Sequence, residues 1–365
     1  MLDRLPPELI DRILELTYRP APFPDPDDVD QERRRTLSRC CLVCSALRER
    51  AQPLFHQEVA LRKSDNASAF FRLLLADEAG EVSSRVKTVR AGFAVGPAVL
   101  RSTLKKLPQL EAVHIAERRM LVGELADLAA PTICLSNVTL TRYGPIRPTT
   151  IVSLSLHIVN SSLSLNSFFS AELFPSLRAL ALGGLCGEDG LVRPYEIQRT
   201  MQPPPAAFTD QLDMCQLYSG NLRASEQLRM FPTTCALLDS RVIRHSDTRR
   251  FPDVFPPHLR ILFSHTIAKD PTSAKCLSIS VMLRHLTHLT QSPSPLKSLH
   301  LPRLLLHFLP SAPGDIQDRF QRLLTTYRAH DVELVYHDED EDDMWKVSTH
   351  FWRYARELKA REDRQ

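Results

Sequence analysis

The sequence predicts an α/β chain in which short N-terminal helices precede a solenoid of strand-plus-helix units around a parallel sheet. Two observations carry that expectation. Residues 5–59 hold two amphipathic helical patterns joined by a Pro/Asp-rich stretch, and from residue 60 pieces of the form Leu-x-x-Leu-x-Leu recur between stretches of helical spacing. A strand-plus-helix unit cannot bury its own apolar face, so it is stable only when stacked on neighbours.

Composition bounds the rest. A chain of 365 residues is long enough for a large core without disulfides or a structural metal. The net charge of +3 is too small to mark a nucleic-acid or membrane surface, and neither is an expected partner. Eight cysteines, scattered apart from Cys40, Cys41 and Cys44, form no disulfide framework and fit a reducing compartment. No apolar run approaches the roughly 18–20 residues of a membrane span. No basic flank with an apolar stretch marks a secretory signal. The expected location is cytoplasmic or nuclear. Eleven glycines against 27 prolines leave few of the turns that cradle phosphates, which weighs against a nucleotide enzyme.

The first helix is well marked. Pro6 and Pro7 suit a first turn, where a missing N–H costs nothing, and Glu8 suits the positive end of the helix dipole. Leu9, Ile13 and Leu16 form one stripe, widened by Ile10 and Leu14. Residues 19–30 carry four prolines and four aspartates and read as a solvated insert, extending to about residue 35. Thr36 is the expected cap of a second helix whose apolar positions are Leu37, Cys40/Cys41, Cys44, Leu47 and Ala51, with Pro53 expected to stop it. Cys41 and Cys44 have the spacing of zinc ligands. No second Cys pair or His pair follows, so the thiols read as small hydrophobes and no metal is expected.

The order Leu5-Pro6-x-Glu8-Leu9-x-x-x-Ile13-Leu14, then Leu37-x-x-Cys40-x-x-Val43-Cys44, then Ala51-x-Pro53-Leu54-Phe55, resembles the F-box, especially its fungal form. The resemblance covers residues 5–59. It implies a module that binds the Skp adaptor of a cullin-RING ubiquitin ligase, with Leu5, Pro6, Leu9, Ile13, Leu14, Leu37, Val43 and Leu47 as the contacting set. Leu47 stands where many members have Trp, and the Pro/Asp insert is longer than in the compact family form.

The clearest repeat copies are Phe174-x-x-Leu177-x-x-Leu180-x-Leu182, Leu107-x-x-Leu110-x-x-Val113-x-Ile115 and Leu296-x-x-Leu299-x-Leu301. Weaker copies start near Val86, Ile133, Ile151, Leu212, Cys235, Leu259 and Val332, at intervals of about 23–27 residues with a few nearer 35. Helices are expected over 67–76, 98–107, 279–289 and 316–330. The chain is similar to leucine-rich repeat proteins in Leu spacing, and departs from them in lacking the Asn that usually follows the last Leu. If the Leu-x-Leu positions point into the core, Arg90, His114, Ser155, Ala181 and His300 lie on the other face, a candidate target-facing column.

Residues 185–207 read as an irregular insert, and the acidic run 338–343 as a solvated loop. Residues 344–365 read as a C-terminal amphipathic helix through Met344, Val347, Phe351, Ala355 and Leu358. The expected domains are therefore 1–59, 60–343 and 344–365. No nucleophile elbow, His-Glu-x-x-His or coupled nucleophile signature occurs, so no catalytic residue and no cofactor is expected. The two resemblances together imply a non-catalytic substrate-recognition subunit of a Skp/cullin/F-box ubiquitin ligase. It would bind the adaptor, and through it a cullin, by its helices and a protein target by its repeats. The alternative is a repeat scaffold with no ligase link.

Overall fold

The computed structural model describes residues 6, 8–11, 14, 27–43, 45–142, 147–183, 185–186, 191–192, 204–219, 235–239, 260–265, 283, 286, 296–303, 305–306, 309–337 and 364. The chain is an α/β protein whose described strands pair in parallel apart from one short antiparallel pair, and it divides into two compact units, Met1–Leu154 with Lys346–Gln365, and Ser155–Trp345. Among the described residues no helix is long and apolar enough to cross a membrane.

In the first unit, helical residues at 8–11 and Leu14 precede α1 (Asp27–Val43) and α2 (Ser45–Gln57). Two expectations are corrected here. The insert does not reach residue 35 and Thr36 is not a cap, because α1 already begins at Asp27, directly after the last proline of the insert. Asp27 and Asp28 favour the positive end of the dipole, and the Gln-Glu-Arg-Arg-Arg run that follows has high helix propensity. Nor does Pro53 end α2, which continues to Gln57 around it. The prolyl ring removes one helical hydrogen bond, and Ala51 and Leu54, packed into the core on either side, hold the turn.

The helices close on a small core of Ile10, Leu14, Leu37, Leu47 and Ala51, with Cys40 and Cys41 packed against it. Asp11 pairs with Arg50, and the Arg48 guanidinium donates to the Cys41 carbonyl at 2.8 Å, satisfying an orphan acceptor in the last turn of α1.

Strand β1 (Glu58–Leu61) follows α2 without a break, so the boundary expected between residues 59 and 60 falls inside a strand. Next come α3 (Ser64–Ala76), β2 (Thr88–Ala91), α4 (Pro97–Leu104), β3 (Ala112–Ala116), β4 (Arg119–Leu121) and β5 (Thr132–Thr141). The strand order is β1-β2-β3-β5, with β4 also on β5. Val89 pairs with Val113 and Val113 with Ile133, spacings of 24 and 20 residues; all three are fully buried. Ala91, Ile115 and Leu135 make the next buried row. The helices expected over 67–76 and 98–107 are α3 and α4, the first longer and the second ending earlier.

Glu117 and Asn137 both adopt left-handed backbone, with φ of 54° and 52°, just past the paired residues Ala116 and Ser136. The Glu117 N–H donates to the Ser136 carbonyl at 3.0 Å. This turn separates β3 from β4 while β5 runs on as one strand.

The second unit continues through β6 (Ser153–Ser161), whose first two residues belong to the first unit, then α5 (Leu165–Phe168), β7 (Ala179–Leu182) and the antiparallel pair β8 (Leu185–Cys186) and β9 (Leu191–Val192). It goes on with α6 (Ala206–Thr209), β10 (Met214–Ser219), β11 (Cys235–Asp239), β12 (Ile261–His265), β13 (Ser298–Pro302), α7 (Gly314–Ala329) and β14 (Glu333–His337). Strand order is β6-β7-β10-β11-β12-β13-β14, and each neighbouring pair from β7 to β14 is parallel. One row runs Leu182, Leu217, Ala236, Leu262, Leu299, Leu334. Phe168, Phe169, Phe174 and Phe208 are fully buried, their rings meeting edge-on or tilted at 5.4–5.6 Å. Helix α7 buries Ile316, Phe320, Leu323, Leu324 and Tyr327 at helical spacing, and the Tyr327 hydroxyl donates to the Leu286 carbonyl at 3.2 Å.

Of the expected insert 185–207, residues 187–190 and 193–203 lie outside the described residues, and 185–186 and 191–192 are strand. The expected helix over 279–289 is described only at Leu283 and Leu286, both helical and buried. The acidic run lies outside the described residues, as does the expected C-terminal helix apart from Arg364.

Leu37 is fully buried at the centre of the helical core, whereas Leu42 on the same helix is 76% exposed. Leu37→Ala is expected to lower the opening free energy of the α1 and α2 amides by about 2–5 kcal/mol in native-state hydrogen exchange. Leu42→Ala should stay within about 0.5 kcal/mol of the parent.

Candidate functional site

The helical end sorts the expected adaptor-contacting residues by exposure. Leu9 is 50% exposed, Val43 is 60% exposed and Pro6 is exposed, so these three are available to a partner. Leu14, Leu37 and Leu47 are buried in the helical core and offer no surface. Their place in the contacting set, which the family resemblance implied, is corrected: these residues hold the helices together. Leu5 and Ile13 lie outside the described residues. Leu42, passed over in sequence, is the most exposed apolar side chain among the described residues of this end. Its signal was its place beside Val43, off the stripe that faces inward.

The expected target-facing column fares differently. Arg90 and His114 do form one row on the face opposite the apolar rows, with Ala60 before them and Cys134 after. In the second unit Ala181 pairs with Gln216, while His300 stands two residues further along its strand than Ser298 in that row. Ser155, Ala181 and His300 are at most 3% exposed and His114 is 8% exposed. They are therefore not an exposed surface, and that part of the expectation is corrected. Parallel strands in α/β proteins are commonly covered on both faces, and the alternation that suggests an open face fails there.

The buried polar groups are held in specific pairs. The Arg90 guanidinium forms an ion pair with Glu58 through Nε, with both side chains close to nine-tenths buried. His114 Nε2 lies 3.1 Å from Ser136 Oγ, and Ser298 Oγ lies 3.2 Å from His300 Nε2. His157, on the same face of β6 as Ser155, is 9% exposed, and burial pushes its imidazole down to about 4. Burial raises the Cys215 and Tyr327 groups well above their ordinary ranges, so neither ionises at neutral pH. Cys41 is also raised, by burial first and then by Cys40, which argues against a reactive thiolate.

No group of three or more His, Cys, Asp or Glu side chains suited to a metal ion occurs among the described residues. A concavity lies at the carboxyl ends of β1, β2 and β3, with Arg62, Arg90, His114 and Phe93 around it.

These elements define an α/β protein of parallel strands with a helical N-terminal end. No family model matches the chain, and no curated protein matches it in sequence.

Two outcomes follow from the buried polar groups. His157 is held neutral, with its folded value below the unfolded value of 6.5. The unfolded state binds the extra proton between those values, so the contribution is complete above pH 6.5 and is lost as pH falls toward 4, about 3 kcal/mol in all. Urea unfolding from pH 7 to pH 4 should show this slope in the parent and a reduced slope in His157→Gln. For the ion pair, Arg90→Met is expected to cost about 3 kcal/mol by stranding Glu58, and adding Glu58→Gln should recover part of the loss in a double-mutant cycle.

Proposed function

We propose that this protein is a non-catalytic substrate-recognition subunit of a Skp/cullin/F-box ubiquitin ligase. Its N-terminal helices would bind the Skp adaptor and its strand units a protein target. The observation that carries the reading is the division of labour in the helical end. Its inner residues complete a core, while Leu9, Leu42 and Val43 are left 50–76% exposed. Large apolar side chains in that position are a cost in water unless a partner covers them. The F-box resemblance of residues 5–59 names the partner, and through the adaptor a cullin.

The strand units support the second half of the reading. Successive strands in parallel register, each reached through a helix or loop, are the arrangement expected of a leucine-rich-repeat-like solenoid, a fold that presents an extended surface. In this role the subunit makes and breaks no bonds. It raises the local concentration of a target lysine near the ligase's E2 enzyme, so that geometry replaces active-site residues.

The second reading is a repeat scaffold that never meets a ligase. It is favoured by the direct passage of α2 into β1, which makes the helices a natural end cap for the sheet. Co-purification with the Skp adaptor separates the two. Leu9→Asp with Val43→Asp is expected to abolish adaptor capture, with the unfolding midpoint unchanged, because both side chains are already exposed. Adaptor capture equal to the parent's would sink the ligase reading.

A further inference from the structure

The cavity at the carboxyl ends of β1–β3 has a volume of about 210 Å³, room for one large side chain rather than a cofactor. Ala60, Ala91, Gly92 and Ala116 line it with little or no side chain, which leaves the space open. The guanidiniums and carboxylates around it balance: Arg62 and Arg90 stand against Glu117 and Glu58, the last being the ion-pair partner of Arg90. A balanced concavity with a floor of small apolar groups favours an apolar occupant, because a charged one would be desolvated without a counter-charge left to meet it. Phe93 stands at the rim with 70% of its surface exposed. An aromatic ring is a side chain of matching bulk, and it buries about 150–250 Å² when covered. Knob and hole thus lie side by side on one face, with exposed charges of both signs, Arg62 and Glu117, next to them. A surface that carries both halves of a contact is complementary to itself under a two-fold rotation.

We propose that this face joins two copies of the chain in an isologous dimer, with Phe93 of each copy seated in the cavity of the other and Arg62 of each beside Glu117 of the other. Two-fold symmetry makes each of these contacts twice, and the two central rings are the groups that leave water. The area covered lies at the low end of specific interfaces, so the dimer is reversible and depends on concentration. The proposal goes beyond the adaptor- and target-binding reading and does not rest on it.

Sedimentation velocity of the full chain, followed over about a hundredfold range of concentration, tests it. The weight-average mass of the parent is expected to rise toward that of a dimer. Phe93→Ala should weaken association by about tenfold or more, with the unfolding midpoint of the dilute chain unchanged because the ring is already exposed. Arg62→Glu should also weaken it, and adding Glu117→Lys should recover most of the lost affinity by restoring opposite charges across the interface. Leu73→Asp, at a 48% exposed position on α3, should associate like the parent. A parent that stays monomeric throughout overturns the proposal. So does association that survives Phe93→Ala intact, that is lost in Leu73→Asp, or that the double charge reversal fails to recover.

Discussion

A strand such as β3 carries two apolar residues, Val113 and Ile115, that no element of its own unit can cover fully; the backbone of the next strand must lie alongside before they are dry. That requirement ties the strands of the first unit together. Main-chain pairing sets the register, and the register places Val89, Val113 and Ile133 in one row and Ala91, Ile115 and Leu135 in the next. A slip of one residue would turn every side chain of a strand to the opposite face. In the first unit it would bring Arg90 and His114 into the apolar rows, which their desolvation forbids.

The face opposite those rows is where the chain departs from a simple half-buried sheet. Glu58 lies paired with Arg90, His114 with Ser136, and Ser298 with His300, across or along strands. Burial that leaves His157 neutral near pH 7 is tolerable because a neutral imidazole costs far less to desolvate than a charged one. The two cross-strand pairs, Glu58 with Arg90 and His114 with Ser136, work only in one register, so they add specificity to what the apolar rows supply as free energy. Toward the carboxyl ends of β1–β3 the covering gives way to the cavity around Arg62 and Phe93.

The helical end solves a different problem with the same residue types. Ile10, Leu14, Leu37, Leu47 and Ala51 spend their apolar surface on each other, and Arg48 and Arg50 tie α2 back to α1 and to Asp11. Leu9, Leu42 and Val43 are what remains. In the proposed role the rigidity of this small core matters as much as the exposed patch, since a docking surface held in shape loses less entropy on binding. The unbroken join from α2 to β1 would pass that rigidity on to the first strands.

Several features were determined by the sequence alone: α/β class, a strand near each Leu-x-x-Leu-x-Leu piece, and helices α3, α4 and α7, because each rests on a local period of two or 3.6 residues. Local chemistry misled where two signals competed. Thr36 looked like a cap although Asp27 and Asp28 start the helix earlier, and Pro53 looked like a stop although neighbours in the core hold its turn. Only the tertiary structure decided which face of each pattern meets water. Leu47 and Leu9 are alike in sequence, as are His300 and any exposed strand histidine, yet burial divides them. Periodicity records that a face is apolar; whether a second layer covers it depends on residues far away in the chain. The cavity beside Phe93 was invisible for the same reason, since β1, β2 and β3 lie 24–30 residues apart in sequence and become neighbours only through their ladder.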